Sequence, residues 1–245
     1  EAFGRWRVGD TEDSVLMGLI SSANIAAGFH AGDPNLMDNT VRVAVEHGVG
    51  IGAHPGYNDL QGFGRRKING TARELVNDIV YQVGAIREFA RRHGATLQHV
   101  KPHGALYMEM AVNPEFAQLF VHYMRTVAPN AYVFCMAGSE TETAALEVGQ
   151  PLVREFYADR DYDESGSIVF TRDVGRPDPV AIARKVVRAC KEGLVTTVSG
   201  KDIEVPFESI CFHSDTLGAL DIVRNMREAL VAEGIRIAPI SEIVR

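Results

Sequence analysis

The sequence predicts an α/β protein built as one closed or nearly closed βα barrel, a single domain over residues 1–245. Three observations predict it. A cycle of helix start signal, amphipathic run, glycine and short apolar run recurs about six or seven times. The apolar runs lack polar alternation, as expected of parallel strands covered by helices. No linker, low-complexity tract or composition shift interrupts the chain. A doubly wound open sheet is the runner-up, but it normally carries a GxGxxG loop after its first strand, and none is present.

The elements follow in order. NIAAGF (24–29) reads as a strand. Asp33-Pro34 then reads as an N-cap with proline at the first helical position, and Leu36, Met37, Val41, Ala44 and Val45 keep the helical period to Gly48. GIGAH (50–54) reads as a buried strand. Thr71 and Glu74 make a capping box, with Leu75, Ile79, Val83, Ile86 and Ala90 as the apolar stripe and Gly94 as the stop. LQHVKPHG follows as a strand. Asn113-Pro114 opens the helix before the strand AYVFCMAG, and Ser139 with Glu142 opens the helix that ends at Gly149 before LVREFYAD. Asp178-Pro179 opens a helix that stops at Gly193. SICF reads as a strand. Thr216 is expected to open the last helix, which stops at Gly234 before a strand IRIAPI.

Composition narrows the function. Of 245 residues 46% are apolar and 23% charged, and the formal charge is −7, which excludes extended disorder. The acidic balance and the lack of a basic run argue against nucleic acid. No apolar stretch is long enough for a membrane span. Cys135, Cys190 and Cys211 match neither a disulfide framework nor a paired-cysteine zinc site, so a reducing cytoplasm is expected. P-loop, HExxH and GxSxG motifs are absent.

Active sites of βα barrels lie at the carboxyl ends of the strands. His30, His54, His103 and His213 each fall at the end of a different predicted strand, so they are expected to converge on one mouth. His47 and His93 belong to last helical turns, His122 to mid-helix and His99 to a strand start. Around the four lie further polar groups. Asn24, His30 and Asp33 share one strand–loop–helix junction, with Asp33 a cap first and a ligand second. Arg65 and Arg66 sit in the long glycine-rich loop 52–66 and can grip an anion, although a solvated pair is the plainer reading. Lys101 and His103, two residues apart, face the same way. Glu155, Asp159 and Arg160 follow in REFYADRDY, and Asp215 after His213 is a further cap candidate. Histidines with carboxylates suit acid–base catalysis or a divalent metal; the motifs do not decide which.

NIAAGFHAGDP, GAHPGYNDLQGFGRR, YQVGAI, VKPHGALY, EFYADRDY and ICFHSD together resemble the LamB/YcsF family, the A subunits of bacterial 5-oxoprolinase, over essentially the whole chain. The resemblance implies a distorted seven-stranded βα barrel like the glycoside hydrolase and polysaccharide deacetylase barrels. It implies ATP-dependent opening of 5-oxo-L-proline (pyroglutamate) to L-glutamate, with subunits B and C as partners that supply the ATP-dependent activation. The family begins with a strand bearing Asn-x-Asp-x-Gly-Glu, of which only Glu1 stands here, so the first strand and its Asp are expected to be missing. Ala27 stands where the family often has Cys.

On this reading Glu1, Asn24, Arg65, Arg66, Asp159 and Arg160 contact substrate. His54 or His103 deprotonates water, Lys101 and Arg66 neutralise charge, and Asp33 and Glu155 orient the histidines, with His30 and His213 completing the catalytic set. Self-association into a homo-oligomer is compatible with the sequence. Two rivals stand beside it: a stand-alone metal-dependent hydrolase or deacetylase cleaving a C–N bond with His30, His54 and His103 as ligands, and a non-catalytic substrate-binding subunit.

Overall fold

The computed structural model describes residues 13–171 and 175–244. The elements in chain order are α1 (Asp13–Met17), β1 (Ser22–Ala26), α2 (Pro34–Glu46), β2 (Gly50–His54), α3 (Ala72–Arg92), β3 (Leu97–Val100), α4 (Gly104–Val112), α5 (Pro114–Val127), β4 (Tyr132–Cys135), α6 (Glu140–Val148), β5 (Leu152–Tyr157), α7 (Pro179–Glu192), β6 (Leu194–Thr196), β7 (Asp202–Glu204), β8 (Ser209–Cys211), α8 (Ala219–Ala232) and α9 (Ile240–Ile243). Six strands form one curled parallel sheet in the order β1-β2-β3-β4-β5-β8, a half-barrel whose edges are β1 and β8 among the described residues.

The helix starts follow their caps. Asp33 accepts from the amides of Asn35 and Leu36, Thr71 and Glu74 close a full capping box, and Asn113, Ser139 and Asp178 cap their own helices. Each helix lays its stripe on the outside of the sheet. Ile79, Val83 and Ile86 of α3 pack with Ile51, Ala53 and Val100, whereas Val186 of α7 and Ile222 of α8 cover the β5–β8 half. Alternate strand residues therefore point into the barrel, where the sequence is polar: Asn24, His54, His99 and Glu155.

Three expectations are corrected and one unexpected element is found. Thr216 does not cap the last helix; Gly218 stands at that position, and the Thr216 hydroxyl donates instead to Asp159 at 2.7 Å. IRIAPI forms no strand, and Pro239 leads into the short α9. VKPHGALY turns directly from β3 into α4, which buries Leu106, Tyr107, Met110 and Ala111 but also carries apolar Met108 and Val112 away from that face, so its sequence shows no amphipathic period. The antiparallel hairpin β6–β7, inserted between α7 and β8, had no counterpart in the pattern.

Gly52 carries the interior packing of β2. A Cβ there would lie 1.9 Å from Nε2 of His99, whose ring stacks on Phe134 at 4.1 Å. Gly52→Ala is expected to destabilise the fold by about 2 kcal/mol through overpacking, read as a lower urea midpoint at unchanged slope.

Candidate functional site

The carboxyl ends of β1, β2, β3, β5 and β8 deliver polar side chains to one mouth. His54, Arg65, Lys101, His103, Tyr107, Tyr157, Arg160 and His213 line it. His30, His54 and His103 are each buried and meet in one group. His30 stacks on His103 with ring centroids 3.9 Å apart, and Nε2 of His54 lies 2.9 Å from Nδ1 of His103. Nδ1 of His54 donates to the carbonyl of Lys101 at 2.6 Å, and Nε2 of His103 donates to the carbonyl of Phe63 at 2.7 Å.

The loop after β2 is ordered around this group. Gln82 of α3 accepts from the Gly56 amide and donates to the Gly56 carbonyl, both at 2.9 Å. Phe63 adopts a φ of 53°, the one non-glycine positive φ among the described residues, and this turn aims its carbonyl at His103. Gly64 follows at φ 62°, where a Cβ would lie 2.8 Å from the Cβ of His30.

A second group occupies the barrel centre. Lys101 Nζ lies 3.2 Å from Glu155 and donates to the Cys211 sulfur at 2.9 Å, all three being buried. The Tyr157 hydroxyl donates to Glu155 at 3.1 Å. Burial, reinforced by Glu155, holds the Tyr157 and Tyr107 phenols protonated, well above their ordinary range. Burial first, then Lys101 and His54, lowers the His99 imidazole to about 3, so it is neutral; its Nε2 meets the Asn24 side-chain oxygen at 2.9 Å.

The third group is built on Asp159. Its carboxylate accepts from the His213 ring at 2.9 Å, the His213 backbone amide at 3.1 Å and Thr216, and it pairs with Arg160 at 3.0 Å. Burial alone would raise its pKa, but His213, Arg160 and Thr216 outweigh it and hold the carboxyl well below its ordinary value. Nδ1 of His213 is thereby engaged, and the ring lines the mouth. Behind this loop Lys185 of α7 donates to the carbonyls of Tyr157 and Ala158 at 3.2 and 3.1 Å and to that of Arg160; burial lowers it to about 8.

The structure thus brings together His30, His54, Lys101, His103, Glu155, Asp159, Arg160 and His213. Arg65 also reaches the mouth, as a buried pair with Asp215 at 2.7 Å. Arg66 instead pairs with Asp59 on a half-exposed side chain, away from the mouth lining. The Asp33 carboxylate is spent on the α2 cap. Asn24 sits deeper, against His99. Glu1 lies outside the described residues. The histidine-holding carboxylate at the mouth is Asp159, in place of the expected Asp33. Sequence reasoning gives no site role to Cys211, Tyr157 or His99. The two-residue step from His99 to Lys101 to His103 was the signal for His99; Cys211 stands two residues before His213 for the same reason.

A family model described as LamB/YcsF family matches residues 1–245. The chain belongs to the LamB/YcsF family. It is 60% identical over 237 residues to the first 5-oxoprolinase A subunit of Pseudomonas aeruginosa, covering 97% of this chain and 94% of that protein. It is 57% identical to the first 5-oxoprolinase A subunit of Pseudomonas putida, covering 96% of this chain and 93% of that protein. Among solved structures, the lactam utilization protein from Thermus thermophilus superposes with a TM-score of 0.88 at 35% identity, covering 98% of this chain and 96% of that one. A putative cellobiose-phosphate cleavage protein from Enterococcus faecalis shares the fold, at a TM-score of 0.51 and 14% identity, with coverage of 95% and 91%. No helix among the described residues is long and apolar enough to cross a membrane, and no disulfide joins the three cysteines.

Asp159→Asn breaks a buried charge network and is expected to cost about 3 kcal/mol at neutral pH. A depressed folded pKa contributes stability above the unfolded value and loses it as pH falls below the ordinary 3.8. Denaturation series between neutral and strongly acidic pH should therefore fall more steeply for the parent than for Asp159→Asn.

Proposed function

We propose that this LamB/YcsF chain is the ring-opening subunit of an ATP-dependent 5-oxoprolinase, converting 5-oxo-L-proline to L-glutamate together with companion subunits B and C. The observation that carries this reading is the convergence of Lys101, His213 and the histidine group on one barrel mouth, in a chain 60% identical to a protein named as a 5-oxoprolinase subunit. The word subunit in that name supports the need for companions.

A five-membered lactam is a stable amide, and water attacks it slowly. Transfer of the γ-phosphoryl group of ATP to the lactam oxygen, assigned to the companions, makes the ring carbon electrophilic. His213, oriented by Asp159, takes a proton from water as the new C–O bond forms. The C–N bond breaks, the ring nitrogen leaves protonated as the amine, and γ-glutamyl phosphate remains. A second water releases phosphate and glutamate. Lys101, Arg65 and Arg160 supply positive charge for the substrate carboxylate and the phosphoryl oxygens, each already balanced by a carboxylate: Glu155, Asp215 and Asp159.

Glutamate release from 5-oxoproline and ATP tests the reading. Release is expected only when this chain and both companions are present; companions that release glutamate equally well alone overturn it. With the full set, His213→Asn is expected to lower the rate about 10²–10⁴-fold, and a rate within a few-fold of the parent would remove His213 as the base.

A further inference from the structure

We propose that His30, His54 and His103 form a binding site for one divalent transition-metal cation of the zinc class. A carbonyl oxygen only accepts, so Nδ1 of His54 and Nε2 of His103, at 2.6 and 2.7 Å from the carbonyls of Lys101 and Phe63, each carry a hydrogen. In neutral rings the lone pairs then lie on Nε2 of His54 and Nδ1 of His103. Those two nitrogens face one another at 2.9 Å. Two lone pairs so placed repel, and a cation shared between them makes the contact attractive. Donation of the far N–H to a backbone carbonyl is also how proteins fix the tautomer and orientation of metal-ligating imidazoles.

The third ligand is His30. Nitrogen atoms of all three rings lie within 4.8 Å of one another, and all three residues are buried. Zinc–nitrogen bonds near 2.1 Å set tetrahedral ligand nitrogens about 3.4 Å apart, so the His54–His103 gap of 2.9 Å opens by roughly 0.5 Å on loading. His30 turns out of its stack on His103 to complete the set. Glycine is what lets the rings gather this closely on the loop backbone: a Cβ on Gly56 would lie 2.4 Å from Nδ1 of His30, and one on Gly64 would lie 2.8 Å from Cβ of His30 and 2.9 Å from Cδ2 of His103. An all-imidazole set suits zinc, cobalt or nickel rather than magnesium or calcium.

Three protein ligands leave a coordination position for a small molecule. His54 and His103 also line the mouth, so that position would open onto the place where the lactam is read to bind, and a cation held there would supply Lewis-acid polarisation of the lactam oxygen before it is phosphorylated. That role rests on the proposed function, whereas the binding test below does not use activity, so the two can fail separately.

The full chain, stripped of metal, is titrated with cobalt(II) and followed by visible absorption, then with zinc by calorimetry. One equivalent is expected, with the d–d bands of a four- or five-coordinate nitrogen site. His54→Ala and His103→Ala should each weaken binding at least about 100-fold, His30→Ala should alter the bands, and the variant His47→Ala, at an exposed position, should match the parent. The parent spectrum decides even where a histidine variant fails to fold. No cobalt uptake, or uptake unchanged in His54→Ala, overturns the proposal; in the first case the facing nitrogens share a proton instead.

Discussion

The ion pair between Lys101 and Glu155 is the constraint on which the mouth depends. It spans the barrel interior from β3 to β5, with both side chains at 3% exposure or less. Two charges in such a place are expensive to desolvate and add little net stability over an apolar pair. What the pair supplies is position. Glu155 receives the Tyr157 hydroxyl, Lys101 reaches the Cys211 sulfur, and the Lys101 carbonyl fixes His54. Strands β2, β3, β5 and β8 are thus tied by polar contacts on the inside as well as by backbone ladders.

Around this centre every charged group at the mouth is answered by another. Arg65 meets Asp215, Arg160 meets Asp159, and Asp159 also holds His213. A site of this kind is preorganised: its dipoles need little rearrangement when charge develops on a substrate. The supports stand outside the barrel. Gln82 of α3 clamps Gly56 at the start of the long loop, and Lys185 of α7 gathers three carbonyls behind Asp159. Strained backbone at Phe63 is concentrated where it aims a carbonyl at His103, a placement typical of functional loops.

Much of this was legible in the sequence because its causes are local. The caps at Asp33, Thr71, Asn113, Ser139 and Asp178 start helices where their side chains and the following residues predict. The strand-end histidines could be sorted because parallel strands all deliver their carboxyl ends to one face. What escaped depends on distant partners. Thr216 looks like a cap but serves Asp159, 57 residues earlier in the chain. His99 looked like a strand start, yet Gly52 and Phe134 from neighbouring strands make its pocket. IRIAPI has strand composition but joins no ladder. The largely apolar α4 carries no period because Met108 and Val112 put apolar side chains outside its buried face as well. Cys211 gains its meaning only from the Lys101 ammonium beside it.

The central claim is that the barrel mouth, and no outer surface, receives the lactam. Histidine side-chain NMR signals of the labelled chain, assembled with its companions, followed during titration with 5-oxoproline, test it most directly. The account predicts saturable shifts at His54, His103 and His213 with His47 and His122 unmoved. Saturable binding that leaves the mouth histidines unshifted would contradict it.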